Sequence, residues 1–162
     1  MKVHRTIAMM AVVGMAGAAC GQKPAPVATP AKTAVTDVTW LTDFAAAKKL
    51  AAEKKLPILV NFSGSDWCEW CIRLDREVFE QQVFKTYAAG NLVLFMADFP
   101  RDKVLSPALQ KQNEALAEQY GIEGRIPTIL LLDAAGRVLA TTGYEAGGPE
   151  KYVASLKAML KK

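Results

Sequence analysis

Residues 61–73 read N-F-S-G-S-D-W-C-E-W-C-I-R and follow the apolar residues Ile58, Leu59 and Val60. The apolar run, which continues through Phe62, predicts a strand; Ser63 to Asp66 supply turn residues, and a helical pattern begins at the cysteines. A cysteine in the first turn of a helix faces unpaired backbone N–H groups and the positive end of the macrodipole. Both favour the thiolate, which is the nucleophilic form. Cys71 lies three residues further on, on the same helical face, within reach to close a small disulfide ring. Cys68 is therefore read as the attacking thiol and Cys71 as the resolving thiol. A zinc site is one rival reading, but tetrahedral zinc needs four ligands. The chain offers only Cys20, Cys68, Cys71 and His4, two of them in a targeting segment. A purely structural disulfide is the other rival. The strand, turn, C-x-x-C and helix in that order favour a redox dithiol over both, with no metal at the site.

W-C-E-W-C after an apolar strand resembles the thioredoxin superfamily. The longer string G-S-D-W-C-E-W-C-I-R-L-D-R-E-V-F, residues 64–79, is similar to its bacterial thioredoxin-like branch. That branch lies close to the C-terminal domain of the transmembrane disulfide reductase and to small secreted thioredoxin-like proteins. A second matching motif is Arg125-Ile126-Pro127-Thr128. The resemblance covers roughly Trp40 to Lys161. It implies an α/β thioredoxin fold, a central mixed sheet with helices on both faces. It also implies that Pro127 is cis, that the backbone of Ile126 pairs with substrate like an added strand, and that no cofactor is needed beyond the dithiol. Trp67 and Trp70 flank the thiols and are expected to form an apolar platform for substrate.

Two departures from the family pattern bear on mechanism. Many thioredoxins carry a carboxylate in the strand before the dithiol as proton acceptor for the resolving cysteine; here Asn61 stands there and cannot take a proton. The lysine often found in the next strand is replaced by Leu92, Val93 and Leu94. Glu69 or Asp66 is the expected substitute base. Glu69 also opposes negative charge on Cys68 and so raises its pKa. Strong oxidants stabilise the thiolate with a histidine between the cysteines, and none lies near this site, so reduction is favoured over oxidation.

Outside this region the chain reads as a leader, a tether and one domain. Lys2 and Arg5 precede an apolar segment, Ile7 to Ala19, that is shorter than the roughly 20 residues of a membrane-spanning helix and fits a signal peptide, residues 1–19. Gly17-Ala18-Ala19-Cys20 resembles a bacterial lipoprotein cleavage box, with Cys20 as the lipidated residue and ordinary cleavage near Ala19 as the rival. Gly21 after that cysteine is similar to lipoproteins sent to the outer membrane. Residues 20–36 hold Pro24, Pro26 and Pro30 among small and polar residues, a composition that suits a flexible tether. Residues 37–162, about 125 in number, suffice for one domain with a real core. The formal charge of +4 falls to +2 without Lys2 and Arg5, and no basic run is interleaved with aromatics, so nucleic-acid binding is excluded.

These readings predict an exported enzyme on the periplasmic side of the envelope, anchored by lipid at the outer membrane. Its expected partners are disulfide-bearing exported proteins and, as electron donor, a transmembrane disulfide reductase. No dimerisation segment is evident, so a monomer is expected. A thioredoxin-like scaffold that binds proteins without exchange is one alternative. A copper-handling dithiol is another, weakened because only Met96 and Met159 lie outside the leader.

The predicted elements are a helix from Leu41 to Lys54 capped by Thr42 or Asp43, a strand over 56–62 and a dithiol helix from Cys68 to Phe79. That helix continues after a bend through Val83, Phe84 and Tyr87. A strand at 92–98, a helix capped by Ser106-Pro107 and ended by Gly121, strands at 129–133 and 138–142, and a last helix after Gly147 follow. Residues 35–40 are a candidate edge strand.

Overall fold

A computed structural model describes residues 38–161. The predicted leader, Cys20 and the tether lie outside the described residues. The elements in chain order are β1 (Trp40–Leu41), α1 (Phe44–Lys54), β2 (Ile58–Ser63), α2 (Glu69–Leu74), a π-helical turn (Asp75–Phe79), α3 (Gln82–Asn91), β3 (Val93–Asp98), α4 (Pro107–Gln119), β4 (Thr128–Leu132), β5 (Val138–Thr142) and α5 (Gly148–Leu160).

The strands form one mixed sheet in the order β1-β3-β2-β4-β5. β1 and β2 run parallel to β3, while β2 with β4 and β4 with β5 are antiparallel. All six residues of β2 are buried, which explains why its sequence is apolar without alternation. Its alternate residues serve opposite faces. Ile58, Val60 and Phe62 join Phe44, Ala47, Ala51 and Leu116 from α1 and α4. Leu59 joins Leu74, Val78, Phe84, Tyr152 and Leu156 from the dithiol helix, α3 and α5. The helices thus cover both faces of the sheet, as the family resemblance implied.

Local chemistry accounts for most boundaries. Asp43, not Thr42, caps α1, its carboxylate accepting from Ala46 N–H at 3.0 Å, so the helix starts at Phe44 and not at Leu41. Ser106 Oγ accepts from Leu109 N–H, with Pro107 opening α4. Asp133 closes the β4–β5 turn by accepting from Ala135 and Arg137 N–H, both at 2.9 Å. Gly147, at φ 126°, leads into α5 in a conformation that costs glycine little.

Two further expectations change. The edge strand is the short pair Trp40–Leu41, shifted from 35–40, and residues 35–37 of that expectation lie outside the described residues. The dithiol helix is not one uniform α-helix over 68–79. Cys68 caps it from outside, and at Asp75 the ladder switches to i→i+5 bonding, with Glu80 N–H to Asp75 O at 2.8 Å. The extra residue lets Leu74, Val78 and Phe79 all face the sheet. After the bend α3 resumes at Gln82, with Phe84 fully buried and Val83 exposed.

Candidate active site

β2 ends at Ser63, and the turn that follows is tied down on every side. Ser65 donates through its N–H at 2.9 Å and its hydroxyl at 2.7 Å to Asp98 at the end of β3. Gly64 O accepts from Cys68 N–H at 2.9 Å. A Cβ at Gly64 would stand 2.6 Å from the Trp67 ring, so only glycine lets the indole lie against this turn. Trp67 Nε1 donates to Phe99 O at 2.8 Å, and the Arg101 guanidinium sits 3.8 Å from the ring centre. The dithiol turn is thereby clamped to the loop after β3.

Cys68 is the N-cap of α2, and its Sγ accepts from Cys71 N–H at 3.2 Å. This is the backbone donation that stabilises sulfur charge at a helix start. Cys68 and Cys71 form a disulfide with Cα atoms 5.2 Å apart. Cys68 keeps 7% of its surface exposed and Cys71 only 1%. β4 begins at Thr128 opposite Phe62, so Pro127 stands beside the end of β2 where the dithiol turn departs. The Ile126–Pro127 peptide is cis.

Trp70 is half exposed and packs at 5.2 Å on the Tyr144 ring. Arg73 lies over both rings, 5.4 Å from Trp70 and 5.2 Å from Tyr144. Glu77 holds this cluster from below, accepting from Arg73 Nε and from the Tyr144 hydroxyl, each at 2.7 Å. The Tyr144 bond, then the Arg73 bond, keep the Glu77 carboxyl below the usual range. Arg73 and Glu77 lie within the 64–79 string but carried no role in it, and Tyr144 belongs to no motif read from the sequence. Arg73 and Glu77 at i and i+4 were discoverable as a helical ion pair; Tyr144 carried no signal.

The expected proton acceptors fare differently. The Asp66 carboxylate accepts from the N–H groups of Arg101, Asp102 and Lys103 at 2.9, 2.9 and 3.1 Å. The Arg101 bond leads in holding its pKa below normal, so Asp66 is a loop anchor, which corrects its reading as a base. Glu69 is exposed in the first turn of α2. Asn61 is 1% exposed, alternates onto the sheet face that α2 covers, and its Oδ1 has no hydrogen-bond partner among the described residues. Asp75, one turn after Cys71, was not singled out by the sequence. Burial, then the charges of Glu80 and Asp98, push its carboxyl up to about 6. Among the described residues no group of three or more His, Cys, Asp or Glu side chains is placed to hold a metal ion. No helix among them is long and apolar enough to cross a membrane.

A family model described as thioredoxin-like matches residues 39–134, which span β1 to the β4–β5 turn. The chain belongs to the thioredoxin-like family. Within that family it is 33% identical over 128 residues to the disulfide bond reductase DsbH of Chlamydia pneumoniae, covering 79% of this chain and 76% of that protein. A solved structure of a DsbH oxidoreductase superposes with a TM-score of 0.75 at 30% identity, covering 90% of this chain and 95% of that one. The oxidised C-terminal domain of DsbD from Neisseria meningitidis shares the fold, with a TM-score of 0.52 at 17% identity over 74% of this chain and 98% of that one. With its Cys68–Cys71 disulfide, this thioredoxin-like chain is a thiol–disulfide oxidoreductase.

Proposed function

We propose that the protein is an exported protein-disulfide reductase in which Cys68 attacks and Cys71 resolves. The observation that carries this reading is the asymmetry of the pair, since Cys68 is the N-cap of α2, its sulfur accepting from backbone N–H and the residue 7% exposed, while Cys71 lies inside the helix at 1%. Cys68 thiolate attacks one sulfur of a substrate disulfide, the substrate S–S bond breaks, and one substrate thiol leaves. Cys71 thiolate then attacks Cys68 Sγ, releasing the second substrate thiol and closing the Cys68–Cys71 bond. The substrate gains two electrons and the dithiol loses two.

Trp67 and Trp70 frame the approach to Cys68 and offer aromatic surface to a polypeptide, while the Ile126 backbone beside Pro127 offers main-chain pairing to it. Reduction is favoured over oxidation for three reasons. No histidine stands between the cysteines, Glu69 opposes charge on Cys68, and the similar Chlamydia pneumoniae protein is named a disulfide bond reductase. The partners follow: disulfide-bearing exported proteins as substrates, and a transmembrane disulfide reductase as electron source. Residues 1–19 direct export, lipidated Cys20 anchors the chain at the outer membrane, and residues 20–36 let a monomeric domain stand off the periplasmic surface.

The test is a glutathione or dithiothreitol titration of the dithiol, followed by tryptophan fluorescence. A potential around −270 mV supports a reductase, one around −120 mV makes the protein an oxidant, and no redox transition restores the scaffold reading. In parallel, Cys71→Ser traps substrates as mixed disulfides through Cys68, whereas Cys68→Ser traps none.

A further inference from the structure

Each tryptophan beside the dithiol carries an arginine on its ring, and the two arginines differ in how their charge is met. Arg73 lies 5.4 Å from the centre of the Trp70 ring, and its Nε donates to Glu77 at 2.7 Å. Arg101 lies closer, 3.8 Å from the centre of the Trp67 ring. Among the described residues its guanidinium donates no hydrogen bond and has no carboxylate within 4 Å; only its backbone N–H is engaged, by Asp66. The acidic groups around it are occupied elsewhere. Asp66 spends both oxygens on the N–H groups of residues 101–103, Asp98 accepts from Ser65, and Glu77 from Arg73 and Tyr144. Lys103, the other cation of this loop, turns its Nζ to Ser65 Oγ at 3.4 Å.

We propose that Arg101 reads a carboxylate on the substrate, so that the protein takes disulfides flanked by aspartate or glutamate in preference to neutral or basic ones. The proposal rests on the reductase reading and names the substrate class for it. Three observations carry it. The first is position. Trp67 immediately precedes Cys68, so a cation held on its ring stands where the side chains next to a bound substrate cysteine arrive. The second is preorganisation. Asp66 fixes the Arg101 backbone at 2.9 Å, and Trp67 Nε1 donates to Phe99 O at 2.8 Å, so ring and loop form one unit. A guanidinium carbon 3.8 Å from a ring centre is at stacking distance, which covers one face of the group and leaves its in-plane N–H fork for a carboxylate. Less side-chain entropy is then lost on binding than for a free surface arginine. The third is access, since Trp67 is 37% exposed and Arg101 is exposed beside it.

The two sides of the dithiol therefore differ. The Trp70 side offers aromatic surface with its cation already paired, and the Trp67 side offers aromatic surface with a cation that a substrate must pair. An exposed ion pair adds little on average, but a bidentate pair to a pre-ordered arginine is the geometry in which it counts. Charge at the rim of a contact acts mainly on the rate of capture and on its salt dependence.

Stopped-flow with the reduced full chain and three fluorogenic disulfide peptides tests this. The peptides are blocked at both termini and differ only in carrying Asp, Asn or Lys beside the cysteines. The wild type captures the Asp peptide about three- to fivefold faster than the Asn peptide, and the Lys peptide more slowly than either. The spread narrows as salt rises from about 0.05 to about 0.5 M. Arg101→Gln brings the ratio of Asp to Asn rates to about one, Arg101→Lys keeps part of it, and Arg101→Glu inverts the order in favour of the Lys peptide. Scoring the ratio separates recognition from stability, because loss of folded protein lowers all three rates together and cannot invert their order. A ratio of about one in the wild type, or a ratio that Arg101→Gln leaves unchanged, overturns the assignment. Failure of the wild type to capture any of the peptides would instead overturn the reductase reading.

Discussion

Asp75→Asn has a thermodynamic signature that is independent of turnover. The carboxyl titrates at about 6 in the fold against 3.8 as its ordinary value, with burial the leading cause. A folded pKa above the unfolded one means that stability is complete below the unfolded value and is lost as pH rises through the folded value. The full shift would correspond to about 3 kcal/mol at 1.36 kcal/mol for each pKa unit. The cleft leaves the group partly solvated, and screening reduces this to about 1–2 kcal/mol. Asparagine keeps the shape and never ionises. The variant is therefore more stable than wild type by about 1–2 kcal/mol at pH 7.5 and by only about 0.3 kcal/mol at pH 4. Urea unfolding of the oxidised protein reads this directly. With m of about 1.5 kcal/mol/M, the midpoint of the variant rises by about 1 M at pH 7.5 and hardly moves at pH 4. Comparing variant with wild type at each pH cancels the contributions of Asp66, Glu77 and Asp133, whose lowered pKa values act in the opposite direction. A variant that is less stable at pH 7.5, or a difference that does not depend on pH, refutes the placement of Asp75 in a desolvated site.

Gly64→Ala puts a Cβ where the Trp67 ring now lies, so the indole must move and lose its bond to Phe99 O; tryptophan emission shifts red and stability falls by about 1–3 kcal/mol. Phe62→Ala empties a fully buried site in β2 beneath the dithiol turn, and chemical denaturation registers a loss of about 3–5 kcal/mol. Tyr144→Phe removes the hydroxyl that restrains Glu77 and Arg73 beside Trp70. Steady-state assays with a disulfide peptide then show KM raised about two- to fivefold with kcat unchanged, and a fall in kcat alone would exclude Tyr144 from the substrate platform.

The legible parts of this fold are those written in near neighbours along the chain. The unbroken apolar run of β2, the Ser106-Pro107 cap and the Asp133 turn each depend on interactions a few residues apart, and each formed where the sequence placed it to within two residues. The dithiol helix was legible as a helix with Leu74, Val78 and Phe79 toward the core, but not in its bonding: beyond Leu74 the ladder switches to i→i+5, which no residue spacing announced. Asp66 misled for a different reason. Its position beside Cys68 in sequence says nothing about the loop after β3, more than 30 residues away, whose N–H groups claim its carboxylate.

By itself, then, the sequence determined that a dithiol opens a helix after a buried strand, while the α/β sheet with helices on both faces was implied by the family resemblance its motifs carry. Strand burial, helix capping and C-x-x-C spacing are all local physics. The tertiary structure alone decided which groups meet that dithiol. Sheet order brings Asp98 to Ser65, the β5–α5 connection brings Tyr144 to Glu77 across 67 residues, and the loop after β3 brings Arg101 onto Trp67. Such meetings depend on which desolvated surface each side chain faces once the layers have packed, and no spacing along the chain encodes that.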